Sequence, residues 1–401
     1  MTAATTPYSL ATIVELLSRE STSGHTNLPL TTWISEEIAR LDLPVVTQAS
    51  PGGHQENLLV TLPDSRGNTS GGLLLSGHLD TVPVEGQIWT SPPFEPEVRN
   101  GRLYGRGATD MKSFCGSVIA HLPKFTAAPL AVPLHIALTY DEETGCSGAS
   151  HLLELLTDER RRPRAAIIGE PTSMRVVTAH KGCLRYRVTF RGRSVHSSLA
   201  PAGVNAAVFA GRFVASVADI ADGLITGGPF DDRFTVPSTT VSIGPVHGGT
   251  EPNIVPDLCE VHIEIRPIPG HDVDRLKRRI CSVLAELGRA MQQLDPTTSA
   301  TIEPVVDVPA LNPSSDNAAS ALLDCLLDHS SEGEAVSYGT EAGLFQEAGI
   351  HTVICGPGSI AQAHIPDEYI ELDQIHRCDE FLERLCIDLQ SSQSHTARLC
   401  R

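Results

Sequence analysis

The chain has 401 residues, 41% of them hydrophobic and 19% charged, enough apolar sequence for a large core in two domains or one large one. Its formal net charge of −18 repels phosphate backbones, so a nucleic-acid partner is not expected, while a small anionic or zwitterionic substrate stays open. No stretch approaches the roughly 18 apolar residues of a membrane span.

The opening "MTAATTPYSLATIVELLSRE" has no basic start and no continuous apolar core, and so reads as mature sequence. The ten cysteines are scattered without a Cys-x-x-Cys pair, and the expectation is reduced, mostly buried thiols in the cytoplasm. Leu10, Ile13, Val14 and Leu17 recur at helical spacing, and Ile34, Ile38 and Leu41 line one face of a second helix. Short apolar runs then alternate with helices. "GLLLSGHLD", "LHIALTYDEE" and "AAIIGEP" read as buried strands, and "TDMKSFCGSVIAHL" as a helix with Phe114, Val118 and Leu122 in a stripe. Such alternation predicts an α/β layer, a mostly parallel sheet flanked by helices.

From Cys183 the period changes to two. In "CLRYRVTFRG", Leu184, Tyr186, Val188 and Phe190 alternate with Arg185, Arg187 and Thr189; in "LCEVHIEIR", Cys259, Val261, Ile263 and Ile265 share a face. That is the pattern of half-exposed antiparallel strands. One accompanying helix carries Phe209, Phe213 and Val217, and another carries Ile280, Val283, Leu284, Leu287 and Met291. The simplest organisation is an inserted α+β domain at 182–308 within an α/β domain made of 1–181 and 309–401. That larger domain ends in a helix through Phe381 and Leu385, and the tail "QSSQSHTARLCR" reads as frayed.

Polar residues gather where three buried strands end: His78 and Asp80, then Asp141, Glu142 and Glu143, then Glu170. In open α/β sheets the ligand crevice lies at the carboxyl ends of the strands. Asp110 opens the helix "DMKSFCG" close by. Crowded carboxylates repel one another unless cations lie between them. Mixed His/Asp/Glu ligation suits zinc, cobalt or manganese, and this number of groups suits two ions roughly 3.5–4 Å apart. Taken singly, each has an ordinary reading: Asp110 as a helix N-cap, Glu142–Glu143 as a solvated turn, His78 as a hydrogen-bonded structural histidine. It is their joint occurrence at strand ends that points to metal. Gly105 and Gly107 lack the third glycine of a dinucleotide fingerprint and fit a tight loop before Asp110 better.

"SGHLDTVP", "GRGATDMK", "DEETGCSG", "GEPT", "RSVHSS" and "AHIPDEY", in that order, resemble the signature segments of the dinuclear zinc deacylases and exopeptidases. That superfamily includes aminoacylases, desuccinylases, glutamate carboxypeptidases and acetylornithine deacetylases. The resemblance implies a zinc exopeptidase-like fold in which His78 and Glu170 bind one metal, Glu143 and His364 the other, and Asp110 bridges both. It implies that Asp80 fixes the tautomer of His78, that Glu142 is the general base and acid, and that the peptide after Asp110 is cis. The inserted unit would be a lid and dimerisation domain, with His196 reaching the partner subunit's site of a homodimer to stabilise the oxyanion. The resemblance also implies two divalent ions, Zn(2+) first and Co(2+) as the alternative.

"AHKGCLRYRVTFRGRSVHSS", "EPNIVPD", "YGTEAGLFQEAGI" and "CGPGSIAQAHIPDEY" are most similar to the acetylornithine deacetylase branch. This implies hydrolysis of a small N-acyl amino acid, N2-acetyl-L-ornithine, to L-ornithine and acetate for arginine biosynthesis. Arg266 would grip the substrate carboxylate, Asn253 would contact substrate or oxyanion, and Glu341 would pair with the side-chain ammonium. Arg266 also reads as a surface ion pair and Glu341 as a first-turn helix residue. The rivals are a desuccinylase or a glutamate-releasing carboxypeptidase, and a non-catalytic metal-binding protein, against which the presence of Glu142 argues. His54, His151, His262 and His376 read as surface or structural, and His180 as supporting the site from behind.

Overall fold

The structure, a computed structural model, describes residues 6–327, 333–391 and 399. Of the tail expected to fray, all but Gln390, Ser391 and Leu399 lies outside these residues. The chain divides into two compact units. The first comprises 1–179, 311–335 and 340–401; the second comprises 180–310 and 336–339.

The first unit is built on an eight-stranded sheet. Its centre is Leu134–Thr139, Leu73–His78, Ala165–Ile168 and His351–Ile354, side by side and parallel. These strands are rich in Leu, Ile, Val and Ala because helices cover both faces. Every residue of Leu73–His78, Leu134–Thr139 and Ala165–Ile168 is buried. On one side the sheet continues antiparallel through Glu56–Leu62 and Val45–Ala49; on the other it continues through Val177–His180, antiparallel to His351–Ile354, with Glu334–Val336 at the edge. The parallel arrangement thus holds at the centre and gives way at the edges. Helices Leu28–Ala39, Lys112–Ala127, Ala318–Leu326 and Leu372–Asp388 supply Ile34, Phe114, Val118, Leu322, Phe381 and Leu385 to the core.

Two glycines let helix Lys112–Ala127 lie against the strand ends. A Cβ at Gly169 would fall 2.0 Å from the Phe114 ring, and one at Gly77 2.7 Å from Met111 Cε. A small antiparallel sheet of Glu97–Arg99, Arg102–Tyr104 and Tyr369–Glu371 ties the approach to Asp110 to the segment after His364.

The second unit is a four-stranded antiparallel sheet in the order Thr240–Gly248, Leu258–Arg266, Cys183–Arg191, Ser299–Val308. Its apolar face, with Leu184, Val188, Phe190, Val261, Ile263 and Ile265, packs on helices Ala206–Gly227 and Val273–Leu294. Each helix starts on a capping side chain: Asn205 accepts from Val208 N, and Asp272 from Arg275 N. Among the described residues no helix is long and apolar enough to cross a membrane.

Candidate metal centre

The four central strands run the same way, so their carboxyl ends share one edge of the sheet. His78 is the last residue of its strand and lies opposite Thr139. The turn Asp141–Glu142–Glu143 follows Thr139, and Glu170 follows Ile168 by two residues. Asp110 does not open a helix. It precedes Lys112–Ala127, whose cap is Met111, and the Asp110–Met111 peptide is cis. His364 comes from an irregular loop, with a left-handed backbone at φ 64°.

These residues form two overlapping donor groups: His78, Asp110 and Glu170, and Asp110, Glu143 and His364. Within each, one donor atom per residue lies within 4.8 Å of the others. Asp110 belongs to both, with a separate oxygen for each: Oδ1 is 3.1 Å from His78 Nε2, and Oδ2 is 3.2 Å from His364 Nε2. His364 Nε2 is 3.0 Å from Glu143 Oε1, and His78 Nε2 is 3.9 Å from Glu170 Oε1.

The electrostatics are those of anions forced together. Burial, reinforced by the charges of Asp110 and Glu142, pushes the Glu170 carboxyl well above the usual range. Burial and the Asp110 charge push Glu143 up to about 7. Hydrogen bonds to Asp110 and Glu143 raise His364 to about 10. For His78, the opposing pull of burial is outweighed by Asp110 and Asp80, and the ring is held well above its usual value. Two imidazoles and three carboxylates around a shared aspartate fit a pair of divalent cations, which would relieve this crowding directly.

Glu142 belongs to neither donor group. It is buried, and burial together with the Glu143, Glu341 and Asp110 charges raises its carboxyl well above the usual range. The Cys146 thiol lies 3.5 Å from its Oε1. Asp80 does more than expected. Its backbone carbonyl is 2.9 Å from His78 Nδ1, nearer than its carboxylate at 3.5 Å. The carboxylate is occupied by the turn that carries Glu142 and Glu143. Oδ1 accepts from Glu142 N at 3.0 Å, and Oδ2 accepts from Glu143 N at 3.2 Å and from Ser23 Oγ at 2.7 Å.

Glu341, the residue expected to meet the substrate's side-chain ammonium, is held by two hydroxyl groups. The residue is 1% exposed, and its carboxylate is taken up by Thr139 Oγ1 and by Ser76 Oγ at 3.2 Å. It lies beneath the strand ends, bonded to residues of Leu73–His78 and Leu134–Thr139. Burial raises it to about 7. Thr340 Oγ1 accepts from Ala342 N at the start of a short helix, Ala342–Glu347.

His196, Asn253 and Arg266 belong to the second unit. His196 is exposed, with Nδ1 2.8 Å from Ser198 Oγ, and Ser197 N donates to Asn253 O at 2.8 Å. Arg266 Nε donates to Glu264 Oε1 at 2.8 Å, while Arg185 Nε holds Glu264 Oε2 at 2.6 Å. His180 is buried with Nδ1 on Lys181 O, and burial lowers it to about 4.

Sequence reasoning missed Glu368. Its buried carboxylate pairs with Arg106 Nη1 at 2.7 Å and accepts from the backbone N–H groups of Gly107, Thr109 and Asp110. The signals were an acidic pair, Asp367–Glu368, after a proline, and its place within "AHIPDEY".

Residues 74–388 match the model of the Peptidase family M20/M25/M40. Among solved structures, the fold is similar to a metallo-carboxypeptidase of the M20 family from Sulfolobus solfataricus, at 18% identity and TM-score 0.74 over 95% of this chain and 99% of that one. It is also similar to aminopeptidase PepT from Bacillus cereus, at 19% identity and TM-score 0.70 over 96% and 98%. A dinuclear metal-binding M20 peptidase from Bacillus subtilis matches at 16% identity and TM-score 0.62 over 95% and 97%.

Proposed function

Because the chain belongs to the Peptidase family M20/M25/M40, we propose that it is a dinuclear metal-dependent amidohydrolase that releases L-ornithine and acetate from N2-acetyl-L-ornithine. The observation that carries the metal-dependent part is Asp110, which turns one carboxylate oxygen to each of two histidines. His78, Asp110 and Glu170 would hold one ion, and Asp110, Glu143 and His364 the other; zinc is the first choice and cobalt the second. When bound, the ions supply Lewis acidity that lowers the pKa of water towards about 7.

The residues do the rest. Glu142 stands outside both donor groups, so its carboxylate is free to take a proton from the attacking water and return it to the leaving amine, a role worth about 10²–10⁴-fold. Asp80 holds the turn that aims it. His196, exposed on the second unit, would stabilise the oxyanion in the site of a second copy, making the working form a homodimer. Arg266 would take the substrate carboxylate by exchanging its Glu264 partner. The substrate assignment rests on the segments from Ala179 and from Tyr338.

The test is ornithine release by metal-stripped protein before and after adding zinc or cobalt, with N-succinyl-diaminopimelate and N-acetylmethionine alongside. Metal-dependent turnover strongest on N-acetylornithine is the expected result. Turnover of another member of the panel discards the ornithine assignment and keeps the chemistry.

A further inference from the structure

The geometry points to Glu368 as the positioning residue that locks the Asp110 loop to the His364 loop, with Gln87 closing the circuit between them. The inference rests on the two-metal reading above.

Glu368 lies four residues beyond His364, and its carboxylate faces the loop that ends at Asp110. Oε1 accepts from Thr109 N at 2.9 Å and Asp110 N at 3.2 Å. Oε2 accepts from Gly107 N at 3.1 Å and Arg106 Nη1 at 2.7 Å. Its own carbonyl accepts from Gly105 N at 3.0 Å. One side chain therefore takes the backbone N–H groups of Gly107, Thr109 and Asp110 together with the Arg106 guanidinium. Glu368 and Arg106 are both 1% exposed, so no water competes for these bonds.

The second half of the circuit runs through Gln87. Its Oε1 accepts from Arg106 Nη2 at 2.6 Å and Trp89 Nε1 at 3.1 Å, and its Nε2 donates to His364 O at 3.3 Å. Thr90 adds a clamp on the same loop, with N and Oγ1 donating to Asp367 at 2.8 and 2.6 Å. His364 and Asp367 both have left-handed backbones, φ 64° and 55°, which non-glycine residues hold only under outside constraint. Asp110 and His364 thus stand at two points of one closed ring: Asp110 loop, Glu368, His364, Gln87, Arg106. Neither Glu368 nor Gln87 belongs to a donor group, so each acts through the ligands. The site that takes both Asp110 and His364 depends on the ring twice, while the His78–Glu170 site depends on it only through Asp110.

The test is cobalt titration of metal-stripped protein, following stoichiometry, the two affinities and the visible absorption of bound cobalt. Glu368→Gln keeps the volume but sets an amide NH₂ against two of the four donors. Gln87→Glu is milder: it keeps an acceptor for Arg106 and Trp89 and loses the donor to His364 O. In both variants we expect one of the two cobalt affinities to fall about 10–100-fold, the range for lost partners of metal ligands, and the other to move less. The absorption band should change. If Glu368→Gln does not fold, Gln87→Glu decides alone. Wild-type protein that binds two cobalt ions, with variants that match it in affinity and absorption, would overturn the inference and leave the two-metal reading standing. Wild-type protein that binds fewer than two would overturn both.

Discussion

Replacing Asp80 with asparagine should loosen the turn that carries Glu142 and Glu143, and the hydrogen bonds set the size of the effect. The carboxylate accepts three: Glu142 N on Oδ1, and Glu143 N and Ser23 Oγ on Oδ2. An asparagine has one acceptor oxygen. If it takes the place of Oδ2, Glu142 N faces an amide NH₂ and loses its partner, at about 1.5–3 kcal/mol for a bond to a charged acceptor. The two surviving bonds drop from charged to neutral, which roughly halves each and removes about 1 kcal/mol apiece. Relief from burying a charge offsets part of this, leaving a net loss of about 2–4 kcal/mol. The cost falls on the main-chain groups that aim the base, so kcat should drop about 10–100-fold with KM little changed. Ser23→Ala removes one of the three bonds and should cost about 1 kcal/mol with a smaller loss of kcat. The assay is steady-state kinetics of metal-loaded protein beside urea unfolding. A D80N protein with wild-type kcat and stability would refute the role given to this carboxylate, and equal effects of D80N and S23A would refute the bond-by-bond reasoning.

Glu142→Ala should keep both metals and lose about 10²–10⁴-fold in kcat, or about 2.7–5.4 kcal/mol of barrier. Metal analysis and kinetics on the same sample check it, and activity above a tenth of wild type would remove Glu142 as the base. His135 is buried between Thr61 Oγ1 and Gly71 O, each 3.0 Å from a ring nitrogen, and burial lowers its pKa from 6.5 to about 4. The unfolded chain therefore takes up a proton that the folded chain refuses, so stability is intact above about pH 6.5 and lost as pH falls towards 4. Between pH 7 and 5, wild type should lose about 2 kcal/mol more than His135→Gln in urea unfolding, and equal losses would contradict the assignment.

What the sequence disclosed follows from how each residue is placed. His78 and Glu170 end strands whose apolar runs were plain, so their position at one sheet edge could be inferred before any coordinates. The alternation of Leu184, Val188 and Phe190 likewise announced a sheet with one covered face. The antiparallel flanks were not legible, because a run buried on both faces says nothing about the direction of its neighbour. Three-residue strands such as Arg102–Tyr104 are too short to show a period. Asp110 passed for a helix cap because the turn before Lys112 has no periodicity. His364, in an irregular loop, was reached only through the resemblance of "AHIPDEY". The burial of Glu341 was not legible, because the hydroxyls that hold it, Ser76 and Thr139, lie far away in sequence. Glu368 escaped for the same reason: its partners are main-chain groups about 260 residues earlier, and backbone donors carry no sequence signature.

The strand His351–Ile354 is laid beside Ala165–Ile168 in the middle of the sheet, although the whole second unit separates them in the chain. During synthesis the ribosome therefore delivers His78, Asp110, Glu143 and Glu170 long before the strand that completes their sheet, and His364 later still. Until residue 354 emerges, the nascent chain carries an open, fully apolar Ala165–Ile168 edge of the kind that invites pairing with other chains. A protein truncated between residues 168 and 351 should sediment on expression where the full chain stays in the supernatant, whatever the condition of the candidate metal ligands. Its dependence on chaperones should be greatest in the interval when the inserted unit is being made.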